Sequence, residues 1–389
     1  MSRPDAAAAA AGAPASPEGL RALLVDRLLP LWRDHGVDRE RGGFYSRIGR
    51  GPAPLTEEPR RLLVQTRQVY VLSLASQAGA GSWTADLAAQ GAEVLLRDFW
   101  DDEHGGFVLA TTPDGEPLDR RKDLYAHAFV LLALSARHFA ASDRAARPLA
   151  TRTLALLEDR LADDVNGGFF EGGDSDWTPL DEPRRQNPHM HLLEAALAWL
   201  EHDPDGPWLG VARRLLDLLE QRFVEPGSGL LREYFEDDWS QRGDDRGRIT
   251  EPGHHFEWVW LLHEHARLTG EDRGLDLARR LFERGAASGI DPEHGGVYDE
   301  VDVDGHVRRD SKRLWPQTEY LRALAVRGDL RVLRPALETF LERYADPATG
   351  GFRERLQRDG APISREMNAT SVYHLWTSLP VVAAALGGA

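Results

Sequence analysis

The eight residues DDEHGGFV, starting at Asp101, look like an ordinary turn until the same text is found elsewhere in the chain. DRERGGFY starts at Asp38, DDVNGGFF at Asp163, DPEHGGVY at Asp291 and DPATGGFR at Asp346; a degenerate copy, VEPGSGLL, starts at Val224. Counted at the first glycine of each pair, or at Ser228 in the degenerate copy, they fall at 42, 105, 167, 228, 295 and 350. The spacings are 63, 62, 61, 67 and 55 residues, so six units use almost all of the 389-residue chain. Self-similarity of this kind marks a fold built from stacked supersecondary units.

Each unit has the same content. An amphipathic helix precedes the Asp; in the first unit Leu20, Leu23, Leu24, Leu28 and Leu31 recur at helical spacing. The Asp closes a local turn with its side chain, and the paired glycines allow backbone angles that other residues avoid. A short strand-like segment follows, reversing at Asp114-Gly115, Asp304-Gly305 and Asp359-Gly360. A second helix then begins that is apolar around its circumference, such as LYAHAFVLLALSARHF from Leu124. A helix apolar all round is buried on all sides. Six such helices alternating with six wetter ones predict an all-α, closed double ring, an (α/α)6 barrel of six helix-pair repeats with short β-hairpins at one end. An open solenoid would leave one face of the drier helices bare.

The totals narrow the function. Net charge is −16, which disfavours a nucleic-acid partner. No run of about 18 apolar residues occurs, so no membrane span is expected. Without cysteines there are no disulfides or thiolate metal sites. The opening MSRPDAAAAAAGAPASPEG reads as an Ala/Pro-rich tail, residues 1–17, rather than an export signal, which makes the cytoplasm the default compartment. Residues 18–389 are expected to form one catalytic domain, as a monomer or homodimer.

Register places the chemistry. About two dozen residues beyond each repeat position, at offsets of 25, 22, 24, 26, 24 and 24, stand Arg67, His127, His191, His254, Glu319 and His374. In a closed ring, equivalent positions point at one axis, and burying so many ionisable groups without a ligand is costly. Around them lie Asn187, His189, Trp315, Gln317 and Tyr373, neutral donors, acceptors and flat rings suited to the hydroxyls and C–H faces of a sugar. Bland readings stand beside these. His127 alone can be a satisfied core residue, and Trp258 and Trp260 can simply pack. His189 and His191 resemble a metal pair, but helix residues two apart face different ways, so no metal is expected. For the same reason only one of His254 and His255 can face the axis. Glu257, three after His254, is placed to orient it. The basic runs at Arg60-Arg61, Arg120-Arg121-Lys122, Arg184-Arg185 and Lys312-Arg313 read as solvated salt-bridging positions rather than a rim for an anionic substrate.

EPGHHFEWVWLL, NPHMHLLEA, RLWPQTE and SVYHLW, in that order, resemble the N-acylglucosamine 2-epimerase family, which includes N-acylglucosamine 2-epimerases, cellobiose 2-epimerases and mannose isomerases. The likeness spans residues 18–387. It implies an (α/α)6 barrel, the fold that the repeats predict independently, and two catalytic histidines, here His254 and His374. By the same matching Arg67, Tyr125, Asn187, His191, Glu257, Trp315 and Glu319 look like the substrate-binding set. PGHHFEW is closer to the mannose isomerase and N-acylglucosamine epimerase form than to the GHD of cellobiose epimerases. The matching leaves Arg246 and Arg248 as alternatives for a second arginine.

The chemistry expected is removal of the C2 proton of an opened aldose by an imidazole, whose unperturbed pKa suits neutral pH. A cis-enediol results. Proton return to C1 gives the ketose, so aldose–ketose isomerisation of mannose and fructose is the first expectation. Return to C2 from the opposite face gives 2-epimerisation, the second. Neither needs a cofactor. A glycoside hydrolase on the same barrel would need two flanking carboxylates; a non-catalytic sugar-binding module is the remaining alternative.

Overall fold

The computed structural model describes residues 14–49, 51–363 and 366–388. Most of the expected N-terminal tail, residues 1–13, lies outside the described residues. Among the described residues twelve long helices form six pairs. The inner set is α2 (Leu62–Gln77), α4 (Leu124–Ala140), α6 (Gln186–Leu200), α8 (Pro252–Thr269), α10 (Leu314–Val326) and α12 (Ala369–Gly387). The outer set is α1 (17–35), α3 (82–99), α5 (Ala146–Arg160), α7 (208–223), α9 (Leu275–Gly289) and α11 (Leu330–Tyr344). The first outer helix starts at Pro17 behind Ser16, whose Oγ accepts from the Gly19 N–H; proline suits that first position because its missing N–H would have no helical partner.

Each inner helix packs against the next, and α12 packs back on α2. The ring is closed. Each outer helix lies on the inner helix before it in sequence, and α1, which has none before it, lies on α12. The two ends of the chain therefore seal the same seam. A girdle of two- and three-residue antiparallel pairings runs around one end: Arg60 faces Thr111, Lys122 faces Gly173, Arg184 faces Phe235, Thr250 faces Val301, Lys312 faces Leu356, and Asn368 returns to Arg47. Every pairing joins the residues just before one inner helix to the loop of another repeat. All six inner helices consequently start at this end, and their N-terminal dipoles converge there.

The repeated motif explains the girdle. In the full copies the Asp carboxylate accepts from backbone N–H groups two or three residues on, as Asp101 does from Glu103 and His104. In four of the five its other oxygen takes a cation from the strand entering the next inner helix: Arg60 to Asp38 at 2.7 Å, Lys122 to Asp101 at 2.6 Å, Arg184 to Asp163 at 2.5 Å and Lys312 to Asp291 at 2.9 Å. These cations are buried, so the expectation that the basic runs are solvated fails for one member of each. The two lysines of the chain are both spent here.

In four of the five full copies both glycines of the pair have positive φ, as at Gly105 and Gly106 (72° and 75°). The second also lets a side chain of the inner helix come close: a Cβ at Gly106 would sit 3.0 Å from His127 Nε2, and one at Gly168 3.0 Å from His189 Nε2. Those imidazoles accept from the next backbone N–H, Phe107 and Phe169, each at 3.0 Å.

Candidate active site

The repeat places equivalent side chains in layers, and the fourth residue of the inner helices makes the first. Gln65, His127, His189, His255 and Gln317 occupy it, and each accepts from a backbone N–H of its repeat loop, those of Phe44, Phe107, Phe169, Leu231 and Val297. The three histidines use Nδ1 on the carbonyl four residues back. Burial holds their pKa values down, to about 4, 3 and 4 for His127, His189 and His255. They are neutral structural clamps.

Two expectations are corrected here. His127 is not axial, and Gln317, named for substrate binding, instead spans Val297 and the Arg313 carbonyl. The same layer removes His189 from any metal pair. It also removes His255 from the cavity, so its difference from the GHD form is not a difference in the cavity wall.

The sixth residue of the inner helices, two further along, makes the axial layer: Arg67, Phe129, His191, Glu257, Glu319 and His374. His254 is the third residue of α8, nearly one turn closer to the girdle. Tyr125, Asn187 and Trp315 are second residues, nearer still. A cavity of about 500 Å³ opens at the girdle end and is lined by Arg67, Tyr125, Asn187, His191, His254, Glu257, Trp315 and His374 among others. Eight of the ten sequence-derived site residues thus share one cup. Gln317 is the first exception and Glu319 the second. Glu319 is completely buried behind His374, accepting from its Nδ1 at 2.8 Å, while Arg322 holds the other carboxylate oxygen.

The two histidines expected to be catalytic flank one indole. The Trp315 ring lies 4.9 Å from that of His254 and 5.6 Å from that of His374, centroid to centroid. Their environments are opposite. His254 Nδ1 is 2.9 Å from Glu233, a residue the sequence reading missed. Burial alone would lower its pKa, but Glu233, Glu251 and Glu257 outweigh burial and raise it to about 9. Burial lowers His374 well below its ordinary value, and Arg67, His191 and Arg322 push the same way.

Glu257 does not orient His254. Its carboxylate makes no hydrogen bond among the described residues, although it lies 3.8 Å from both His191 Nε2 and Arg322. Burial, then Glu319, raises its pKa well above the usual carboxylate range. His191 is held by Glu194, which also accepts from the Tyr373 hydroxyl, and burial lowers it to about 4.

Arg67 donates to Tyr125 Oη at 2.8 Å and stacks on Phe129 and Tyr373, with its Nε unpartnered. Asn187 Oδ1 is likewise buried without a partner. The cavity therefore presents a guanidinium without a carboxylate partner among the described residues, an amide oxygen and the Glu257 carboxyl group to whatever fills it.

At the mouth, Arg47 pairs with Glu58 and Glu366, Arg313 with Glu251 and Asp299, and Arg355 with Asp299. Neither alternative arginine lines this cavity: Arg248 is bound to Asp302 and Asp304, and Arg246 lines a separate acidic cleft. Trp258 donates to Gln186, and Trp260 stacks under Arg322; both pack. Three triads around the cup, His191 with Glu194 and Glu257, Glu257 with Glu319 and His374, and Glu233 with Glu251 and His254, gather groups of metal-binding type. Arg322 already supplies a positive charge between Glu257 and Glu319. Among the described residues no helix is long and apolar enough to cross a membrane.

A closed helical ring with imidazoles, carboxylates and an indole around one polar cup suits a carbohydrate, and the comparisons give the class, an isomerase or epimerase acting on carbohydrates. Residues 43–378 match the model of the N-acylglucosamine 2-epimerase (GlcNAc 2-epimerase) family, and the chain belongs to that family. It is 34% identical to the mannose-6-phosphate isomerase of Rhizobium meliloti, over 92% of this chain and 94% of that one. It is 33% identical to the D-mannose isomerase of Thermobifida fusca, over 75% and 74%. The cellobiose 2-epimerase of Spirochaeta thermophila superposes with a TM-score of 0.87 at 28% identity, covering 96% of each chain.

Proposed function

We propose that this enzyme interconverts an aldose and its ketose, D-mannose and D-fructose, through a cis-enediol. The observation that carries the reading is the opposed charge of two imidazoles on either side of Trp315 in one cavity. Titrating groups driven apart by their surroundings divide acid from base. His374 is the neutral base: Glu319 takes its Nδ1–H, which leaves Nε2 to accept the C2 proton of the opened aldose. His254, cationic beside Glu233, protonates O1 as negative charge develops there. Arg67 and the converging helix N-termini stabilise that charge, the task worth most in such sites. His374 then returns its proton to C1 while O2–H gives its proton to His254, and the ketose forms.

The mouth supports an unphosphorylated sugar, because Arg47, Arg313 and Arg355 are each already paired with a carboxylate. The names of the relatives, isomerases and 2-epimerases alike, keep 2-epimerisation as the second reading. A panel of mannose, mannose 6-phosphate, N-acetylmannosamine and cellobiose in D2O, followed by NMR, separates the readings. Fructose with deuterium at C1 is the expected product. Epimer without ketose would replace the first reading with the second, and preference for mannose 6-phosphate would overturn the argument from the mouth.

A further inference from the structure

Four repeats place a carboxylate at the same point, two residues beyond the backbone N–H that the inner-helix clamp binds or its equivalent: Glu171, Glu233, Asp299 and Glu354. Each accepts from the backbone N–H of the residue capping the following inner helix. The donors are Arg185 at 2.6 Å, Glu251 at 3.3 Å, Arg313 at 2.7 Å and Asn368 at 2.7 Å. A carboxylate at a helix N-terminus is well placed by the dipole. Three of the four also have a cation-forming partner: Arg185 on Glu171, His254 on Glu233, Arg313 on Asp299.

Glu354 departs from the pattern. Its second oxygen accepts from the Ser371 hydroxyl at 2.7 Å, and no cation pairs with it among the described residues. It also lines the reaction cavity. Ser371 is the third residue of α12, where α8 has His254, and lies three before His374 on the same helix face. Glu354 therefore sits on the girdle side of the proposed base. Burial raises its pKa to about 7, so a substantial fraction is protonated near neutrality.

The proposed isomerisation needs an open-chain aldose, and both catalytic histidines are committed to C1, C2 and their oxygens. We propose that Glu354 is the acid–base group that opens the sugar ring. In its protonated form the carboxyl gives its proton to the ring oxygen O5 while its other oxygen takes the O1–H proton. The C1–O5 bond breaks with its electron pair going to O5, the C1=O1 bond forms, and the carboxyl ends in its starting protonation state. O1 and O5 share one carbon, as the two carboxyl oxygens do, so both transfers fit one approach. Ser371 fixes the plane of the carboxyl for that approach. This rests on the cavity being an aldose isomerase site, which turnover by the wild-type protein tests separately.

The test is mutarotation of the aldose that the wild type turns over, freshly dissolved as one anomer in weak buffer and followed by NMR with enzyme in excess. The wild type is expected to speed it. Glu354→Gln, whose amide oxygen still caps Asn368, is expected to lose the acceleration and the turnover together by about 100-fold, within the range for a general acid–base group. The same variant should keep the wild-type rate of C2–H exchange in D2O with glyceraldehyde, which cannot close a ring. Three results overturn the proposal: a wild type that converts the aldose without speeding mutarotation, Glu354→Gln speeding it as wild type does, or glyceraldehyde exchange falling in step with turnover.

Discussion

His189 and His191 stand two residues apart on α6 and have opposite fates. His189 has both ring nitrogens on backbone groups and faces its own repeat loop. His191 faces the axis, holds Glu194 and lines the cavity. The same division runs around the ring: His127, His189 and His255 in the fourth-residue layer, His191 and His374 in the sixth. Two residues rotate a side chain by about 200° on a helix, enough to turn it from the shell between inner helix and loop to the central cup. Identical residue types therefore clamp loops in one layer and line the cavity of the proposed reaction in the other. The Gln at positions 65 and 317 shows what the structural layer requires, an acceptor for one backbone N–H, and no proton transfer.

This contrast is open to test. The largest effect is expected in the cup: His374→Ala or His254→Ala should cost on the order of 10³-fold in kcat with the fold intact by circular dichroism. Wild-type turnover in either variant would erase the distinction between the layers. Next is the alkaline limb of the pH–rate profile. With His254 near 9 and His374 below 6.5, activity should be flat between those limbs. Glu233→Gln should lower the upper limb, because Glu251 and Glu257 then oppose burial without its largest counterweight, and should reduce turnover at pH 8. An unmoved limb would remove Glu233 from its role.

The structural layer should answer in stability instead. His127, His189 and His255 are protonated only with difficulty in the fold, while the unfolded chain binds protons at its ordinary value near 6.5. Below that pH the unfolded state takes up more protons, so stability falls as pH drops from 6.5 towards 4 and is level above it on their account. His254 has the reverse sign: its contribution is complete below 6.5 and disappears as pH rises through about 9. Denaturant titrations across pH 4 to 9 check both slopes. At constant pH, His189→Ala leaves the Phe169 N–H unsatisfied and should cost about 1–3 kcal/mol with little change in turnover. His189→Gln, copying positions 65 and 317, should cost under about 1 kcal/mol. A Gln variant as damaged as the Ala variant would mean that the imidazole does more than accept.

Much was legible because the repeat is written in the loops. Asp-x-x-x-Gly-Gly recurs five times where a carboxylate turn is required, and with the degenerate copy at Val224 the near-equal spacing counts six helix pairs directly. Asn187, His254 and Trp315 could be assigned to a cup because polar and flat side chains stand at the start of buried helices, and Tyr125 because of the family resemblance. The partner of His254 could not be read. Glu257 is three residues away and looked suitable, whereas Glu233 lies 21 residues back, in a loop position that caps the following inner helix. Gln317 was misread because its partner, Val297, belongs to a loop that folds back on the helix.

Sequence alone determined the number of units, the drier and wetter helix of each, and the residue types available to the chemistry, since periodicity and turn chemistry are local. Which imidazole clamps a loop, which is charged and which is neutral was decided by tertiary structure. Those properties depend on burial and on carboxylates brought from other repeats through ring closure, and neither is encoded within one helix's own spacing.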